Sequence, residues 1–430
     1  LKAEVNGKGT QICAYPFRGN YDGGNYTIRG LKLSSDSSVS DLMTVGLFGL
    51  TDGQYTNNDK PTGNEQTVTL KNIKLKDISF DVKAKYEIYA GGLAGNAQYG
   101  IYIDNCYVSG SITTETSDSF NRAGGLAGNA LRGSVTNCGA DVDINAVTDA
   151  SHIYAGGMFA MPNRVTIINC YSLGDLTVKA GSNNKAHAGG FSGQAGGVQI
   201  NCYAAGNVVS VNPTSDVGGV NGRSGGIAAD CNTYFNSEAK QQNGDTVNAE
   251  NVGIGVNANN AVLTVNVTGK TAAELKSADF AAELNKNASA ESLNAALDRV
   301  NGFLNGGLSK GLTHLNYYNG TPLLSWIVKD GAVVLSSPEA SGGSSGGSGG
   351  RSGSGGSGSS SGSGNNSGTN NSGNPTAPPS GQSSFSDVAS GAYYKSAVDW
   401  AVEKNITSGK TASLFAPDEA CTRAQAVTFL

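Results

Sequence analysis

Three aspartates in the middle of the chain are the residues best suited to bind a metal ion. Asp141 and Asp143 are two residues apart, and Asp175 follows Asp143 by 32 residues. Carboxylate oxygens are the ligands that Ca²⁺ prefers, so a calcium-dependent enzyme acting on polysaccharides is one hypothesis. A hydrated acidic surface explains the same pattern without a metal, and we favour that second interpretation.

Other patterns that support catalysis or metal binding are missing. The chain contains three histidines, His152, His187 and His314, and none belongs to a His-Glu-x-x-His zinc motif. Seven cysteines occur, but no two are spaced as Cys-x-x-Cys, which argues against a structural zinc site. We therefore expect a protein without enzymatic activity, cofactor or metal.

Five of the cysteines recur at nearly constant intervals. They are Cys106, Cys138, Cys170, Cys202 and Cys231, with steps of 32, 32, 32 and 29 residues. Such a column predicts side chains that stack inside the protein, where a free cysteine behaves as a small apolar residue. A disulfide between stacked neighbours is the less favoured alternative, so the cysteines do not determine the redox compartment.

Glycine-rich turns recur with the same period. They begin at Gly91, Gly124, Gly156, Gly189 and Gly218, with steps of 33, 32, 33 and 29 residues. A period this regular is typical of a stacked repeat protein, in which each unit buries its apolar face against its neighbours.

Apolar and polar residues alternate after each cysteine, as they do in a strand with one buried face. Equivalent apolar positions hold Ile112, Ile144, Leu176 and Val208. The opposite parity, which holds Asp143, is expected to face water. We predict a mainly β protein, a right-handed parallel β-solenoid with repeats of about 32 residues.

A second outward column lies two residues before each glycine pair. It consists of Tyr89, Arg122, Tyr154, His187 and Asp216. If equivalent positions stack on parallel strands about 4.8 Å apart, these side chains form one surface that can contact sugar rings.

Composition divides the chain into five segments. The divisions are entrance coils at 1–90, the repeats at 91–236, a small α/β cap at 237–335, a linker at 336–384 and a helical domain at 385–430. Within the linker, 27 of the 34 residues from 341 to 374 are Gly or Ser, a composition typical of disorder.

The cap segment carries helix signals. Thr271 and Glu274 form a predicted capping box, and a helical pattern that follows Ser289 is predicted to end at Gly302. We expect this segment to cover the open end of the solenoid, whose strand edges would otherwise invite aggregation.

Charge and hydropathy exclude two classes of partner. The net charge is -5 and only 15% of the residues are charged, which gives no basic patch for nucleic acid. No apolar run of about 18 residues occurs, so we expect no membrane span. The chain begins at Leu1 without an export signal, and we interpret it as a fragment of an exported protein.

The glycine turns resemble the GLUG-motif repeats of bacterial surface proteins. The similar segments are Asp22-Gly23-Gly24 to Leu31, Gly46-Leu47-Phe48-Gly49 and the later Gly-Gly-Leu-Ala-Gly turns, within residues 15 to 236. Such repeats also occur in immunoglobulin-A-cleaving metallopeptidases, beside a separate catalytic domain. The resemblance implies a surface protein and leaves its activity open.

The last segment resembles an S-layer homology domain. The matching signals are Phe385-x-Asp387-Val388, Trp400-Ala401, Ile406-x-x-Gly409, Phe415-x-Pro417 and Thr422-Arg423-Ala424-Gln425. The resemblance implies binding to secondary cell-wall polysaccharide, with Arg423 contacting an acidic group of the polymer. By the same resemblance, Asp387, Trp400, Gly409 and Thr422 shape or line the groove. Cys421 and Gln425 depart from the family pattern, which has isoleucine and glutamate there.

These observations lead to a non-enzymatic bacterial protein of the cell wall or S-layer. It is expected to display the solenoid as an adhesin or a spacer, with a host or glycan ligand on the solenoid. Two alternatives stay open: a secreted, calcium-dependent enzyme of the β-helix lyase type, and the non-catalytic part of a surface peptidase.

Overall fold

A computed structural model describes most of the chain. The described residues are 16–36, 42–53, 67–182, 184–225, 227–247, 251–258, 262–306, 318–337, 385–388, 395, 398–399, 402, 411 and 413–415. They belong to two compact units, residues 1–346 and 347–430.

The first unit is a parallel β-solenoid of about six turns with repeats about 32 residues apart, which confirms the predicted fold class. The first two coils contain β1 (Asn20–Asp22), β2 (Thr27–Arg29), β3 (Lys32–Ser35), β4 (Met43–Val45), β5 (Phe48–Asp52), β6 (Val68–Lys71), β7 (Lys74–Ala84), β8 (Ile88–Gly91) and β9 (Ala94–Gln98). The next two contain β10 (Ile101–Asp104), β11 (Tyr107–Thr116), β12 (Asn121–Gly124), β13 (Ala127–Thr136), β14 (Gly139–Thr148), β15 (Ile153–Gly156) and β16 (Phe159–Ile168).

The remaining coils follow the same path. They contain β17 (Tyr171–Ser172), β18 (Leu176–Lys179), β19 (Ala186–Gly189), β20 (Ser192–Ala204), β21 (Val208–Ser210), β22 (Asp216–Gly218), β23 (Asn221–Ser224), β24 (Ala228–Asn236), β25 (Gln241–Asn243), β26 (Thr246–Val247), β27 (Ile254–Asn257) and β28 (Val262–Lys270). β24 and β28 pair in parallel like the earlier coils. The solenoid therefore continues past the predicted boundary at residue 236, because alternating apolar residues persist after the glycine and cysteine motifs end.

Equivalent strands stack in register. One face is a six-stranded sheet with the order β22-β19-β15-β12-β8-β4, and the other strands of the solenoid form a larger sheet. Ile112, Ile144, Leu176 and Val208 pair successively on β11, β14, β18 and β21. All four side chains are buried, so the predicted inward ladder is confirmed.

An asparagine forms the same corner in successive coils. The corner residues are Asn25, Asn72, Asn105, Asn137, Asn169, Asn201, Asn232 and Asn266, all with φ between 50° and 63°. Asparagine tolerates this left-handed conformation better than other side chains except glycine. The corners are also linked by side-chain hydrogen bonds, since the Nδ2 of Asn201 donates to the Oδ1 of Asn169 over 2.9 Å and Asn169 donates likewise to Asn137.

Four of the repeated cysteines form the predicted inward column. The backbone N–H of Cys106 donates to Cys138 Sγ, and that of Cys138 to Cys170 Sγ, each over 3.4 Å. The five described cysteines are free. Burial raises the pKa of the Cys106, Cys138 and Cys170 thiols well above its ordinary value, which makes them poor nucleophiles.

Cys231 does not belong to this column, which corrects the prediction. It lies beside Ile200, whereas Cys202 is paired with Thr233. The corner asparagine of this coil is Asn232, one residue after the cysteine, so Cys231 has the opposite parity. It packs outside the solenoid wall against a helix.

A C-terminal subdomain, residues 271–306 and 318–337, follows the last coil. It contains a 3₁₀ turn at Glu274–Lys276, α1 (Ala278–Asn287), α2 (Ala290–Gly306), β29 (Trp326–Lys329) and β30 (Ala332–Leu335). The predicted capping box is formed, because the Thr271 N–H donates to Glu274 Oε2 over 2.7 Å and the Glu274 N–H donates to Thr271 Oγ1 over 3.1 Å. The helix α2 does not end at Gly302 as predicted, because a helical glycine costs only about 1 kcal/mol and Leu304 is still buried beyond it.

The subdomain packs against the side of the solenoid, where its described residues contact the outer wall of several coils. α2 covers Ile168, Ile200 and Cys231. α1 and the β29–β30 hairpin cover Tyr171, Tyr203 and Tyr234 together with Trp326. The prediction of a cap across the open end is thus corrected to a lateral position, because the apolar outward residues of these coils need covering.

Candidate functional site

Of the five predicted wall-binding residues, Asp387 is the one that lies among the described residues of the second unit. Asp387 Oδ1 accepts a hydrogen bond from the backbone N–H of Phe415 over 2.9 Å. The rings of Phe385 and Phe415 lie 5.6 Å apart, in a small core with Val388 and Val398. Asp387 therefore links residues 385–388 to residues 413–415. The other predicted residues, Trp400, Gly409, Thr422 and Arg423, lie outside the described residues.

Two of the three candidate calcium ligands hold the solenoid wall together. Asp143 Oδ1 accepts a hydrogen bond from the backbone N–H of Asp175 over 3.0 Å. Asp175 in turn accepts from the N–H of Asn207 over 2.8 Å and from its side-chain amide over 2.9 Å. These carboxylates replace the strand pairing that is lost where the chain bends. No three His, Cys, Asp or Glu side chains of the described residues come close enough to hold one metal ion.

The third candidate, Asp141, lies two residues before Asp143 on the same exposed face of β14. It lines a groove of about 660 Å³ between the solenoid wall and the β29–β30 hairpin. Tyr107 and Tyr171 line the same groove, and Lys76 Nζ lies 5.9 Å from the centre of the Tyr107 ring. Of the three candidate calcium ligands, Asp141 alone lines this groove.

The predicted column stacks in register on the six-stranded sheet, but its last two members, His187 and Asp216, are buried. Its members are paired successively: Tyr89, Arg122, Tyr154, His187 and Asp216. The Arg122 guanidinium carbon lies 4.6 Å from the centre of the Tyr89 ring and 5.4 Å from that of Tyr154. Burial lowers the pKa of Arg122 to about 10, so it stays protonated at neutral pH, and it forms an ion pair with Glu87.

The column ends in a cluster of charged and ionisable groups. The Nδ1 of His187 and the Nη1 of Arg223 each lie 2.8 Å from Asp216 Oδ2. Burial alone would raise the pKa of Asp216, but its contacts with His187 and Arg223 outweigh burial and hold that pKa below its ordinary value. Asp216 therefore remains a carboxylate that fixes both partners.

A neighbouring column, which sequence analysis missed, completes the surface. Phe120, His152 and Lys185 each lie two residues before a member of the first column. They line a cleft of about 520 Å³ together with Tyr154, His187, Gln194 and Arg223. The same two-residue alternation that identified the first column was the available signal for the second.

Comparisons with known proteins give two family matches. The family described as the S-layer homology domain matches residues 384–427, and the GLUG motif matches residues 86–113 and 121–145. No curated protein matches the chain. A solved structure described as "a putative immunoglobulin A1 protease from Bacteroides ovatus" is 20% identical with a TM-score of 0.44, over 63% of this chain and 75% of that chain.

No helix in the described part of the chain is long and apolar enough to cross a membrane. The two predicted resemblances are both confirmed, at the C-terminal segment and at the first two complete repeats. The chain thus carries segments that match the GLUG motif and the S-layer homology domain, and the latter indicates a protein of the cell surface, associated with the cell wall or S-layer.

Proposed function

We propose that the chain is a non-enzymatic protein that binds secondary cell-wall polysaccharide through its S-layer homology domain and displays the solenoid as an adhesin or a spacer. The observation that carries this proposal is the S-layer homology match at residues 384–427. The first unit, the solenoid, is joined to that domain by the Gly/Ser-rich segment. Such a composition gives the displayed unit reach without fixing its orientation.

The contacts of the acidic residues support a non-enzymatic solenoid. A lyase of the calcium-dependent type needs carboxylates that are available to a metal ion. Asp143 and Asp175 instead accept backbone N–H groups from the next coil. Asp141 lines the groove beside Tyr107, which neither Asp143 nor Asp175 lines. These contacts favour a structural role for the acids.

Arg423→Ala tests the anchor. A guanidinium can bind a carboxylate through two parallel hydrogen bonds, so its loss is expected to weaken binding by about tenfold or more. The measurement is co-sedimentation of the full chain with purified cell-wall sacculi, with and without extraction of their secondary polysaccharide.

Arg351→Gln is the matched control, since it removes one positive charge from the Gly/Ser-rich segment. We expect the parent and the control to sediment with intact sacculi and to remain in solution with extracted ones. Equal sedimentation of the Arg423→Ala variant, or binding to extracted sacculi, would contradict the proposal.

A further inference from the structure

Four rings form a continuous patch on the six-stranded face of the solenoid. Phe120 and Tyr154 have ring centres 6.1 Å apart, and Tyr154 and His187 are 5.1 Å apart. His152 closes the patch, with its ring 6.4 Å from His187 and 6.1 Å from Phe120. The patch spans three coils, or about 10 Å along the stack.

Positive charge borders this ring patch. Lys185 is exposed at its edge and forms no salt bridge with a described residue. Arg223 forms an ion pair with Asp216 through one guanidinium nitrogen, Nη1, and its other N–H groups remain as donors at the same cleft. The Arg122 guanidinium lies 5.3 Å from the centre of the Phe120 ring. Burial, and then the charges of His187 and Lys185, lower the pKa of His152.

The negative charges near the patch are already paired. Asp216 is in contact with both His187 and Arg223, and Glu87 is in contact with Arg122. Lys185 therefore leaves the cleft with positive charge for a ligand to neutralise.

We propose that this cleft binds an acidic polysaccharide, with sugar rings on Phe120, His152 and Tyr154 and a carboxylate at Lys185 and Arg223. The C–H groups on one side of a pyranose ring carry partial positive charge, which matches the negative faces of aromatic rings. Gln194 supplies amide groups for hydroxyls at the cleft. The open, repetitive wall accommodates a chain of sugars that runs from coil to coil.

The proposal extends the display role above by naming a ligand for the solenoid. Its test is made with the full chain carrying Arg423→Ala, so that wall anchoring does not contribute. Binding of polygalacturonate is measured by calorimetry and compared with binding of its methyl ester, which has the same backbone without the carboxylate charge. We expect the acid form to bind at least about tenfold more tightly.

Lys185→Gln is expected to reduce affinity for polygalacturonate by about tenfold, and Phe120→Leu by several-fold. Lys179→Gln is the matched control, because Lys179 is exposed on β18 of the same coil, away from the ring patch. Thermal unfolding of each variant establishes that the solenoid is intact.

Three results with polygalacturonate and its ester would overturn the proposal, and a fourth comes from polyphosphate. One is an absence of binding, and another is equal binding of the methyl ester. The third is an equal loss of affinity for polygalacturonate in the Lys185→Gln and Lys179→Gln variants, because that result indicates non-specific electrostatic attraction to any polyanion. Polyphosphate, which lacks sugar rings, must bind more weakly than polygalacturonate and must be insensitive to Phe120→Leu.

Discussion

At the scale of single residues, Asp230 is the least expected side chain. It is completely buried, and both of its oxygens lie 3.1 Å from the Nδ2 of Asn221. Asn221 in turn accepts a hydrogen bond from Gln199 over 2.9 Å. Burial raises the pKa of Asp230 from 3.8 to about 7, against the opposing effect of the Asn221 hydrogen bond.

The raised pKa predicts that stability falls as the pH rises. The folded chain holds a proton on Asp230 that the unfolded chain releases near pH 4, so this stabilisation is complete below pH 4 and is lost as the pH rises through 7. Asp230→Asn should remove this pH dependence. The free energy of unfolding at pH 8, taken relative to that at pH 4, should therefore be higher in the variant than in the parent by up to about 4 kcal/mol. Urea unfolding at both pH values measures it.

Asp245→Asn is a suitable control because Asp245 is exposed. It should leave the difference between the two pH values unchanged. If Asp230→Asn retains the parent's pH dependence, Asp230 is not the group responsible.

The position of Cys231 was predicted wrongly, and a single residue explains why. In the four earlier coils the corner asparagine directly precedes the cysteine, whereas in this coil the corner asparagine, Asn232, directly follows Cys231. Because the side chains of a strand alternate between its faces, a shift of one residue moves a side chain from the core to the outer wall. Whether a cysteine is buried in the solenoid depends on whether it lies an odd or even number of residues from the inward positions of its strand, counted from the corner asparagine. The spacing between cysteines alone does not determine this.

At the scale of elements, the glycine turns are required by the distance between coils. A Cβ added at Gly125 would lie 2.2 Å from the carbonyl oxygen of Gly157 and 3.0 Å from the Cβ of Ala140. Backbone at this distance cannot move without shifting the neighbouring coil. At Gly302 in α2, by contrast, an added Cβ meets nothing within 4 Å.

These two glycines predict opposite effects of the same substitution. Gly125→Ala should destabilise the solenoid by about 3 kcal/mol or more, because of the backbone clash. Gly302→Ala should stabilise the chain by about 0.5 to 1 kcal/mol, because alanine loses less conformational entropy in a helix. Thermal unfolding of both variants measures the difference. A neutral Gly125→Ala variant would mean that the coils are farther apart than described.

The helices of the C-terminal subdomain were predictable as helices but not in their location. Leu293, Ala296 and Val300 define an apolar stripe, and all three are buried as the pattern predicts. A stripe shows that a helix packs against something without identifying the partner. The partner is the outer wall at Ile168 and Ile200, whose apolar side chains point outward and are covered by this helix.

At the scale of the whole molecule, the chain connects its two compact units through a segment of unusual composition. The segment 336–384 contains one basic residue, Arg351. Such Gly/Ser-rich chain is expected to be open to proteases, whereas the hydrogen-bonded coils are not.

Trypsin is therefore expected to cut after Arg351 and to release a C-terminal fragment that begins at Ser352. Mass spectrometry of a limited digest identifies the fragment, and Arg351→Gln should abolish it. Early cuts within 67–182 in the parent would contradict the division into a stable solenoid and an accessible linker.

The sequence by itself determined the repeat, the inward ladder, the column from Tyr89 to Asp216 and the S-layer homology match. These follow from local periodicity, because strands that repeat every 32 residues bring equivalent positions together whatever surrounds them. The tertiary structure alone decided what the repeat does not encode. It joined Phe120, His152 and Lys185 to the first column as one cleft, placed Asp141 at the groove beside the β29–β30 hairpin, and placed the C-terminal subdomain on the side of the solenoid. Those outcomes depend on contacts between faces and between distant segments, which no period along the chain specifies.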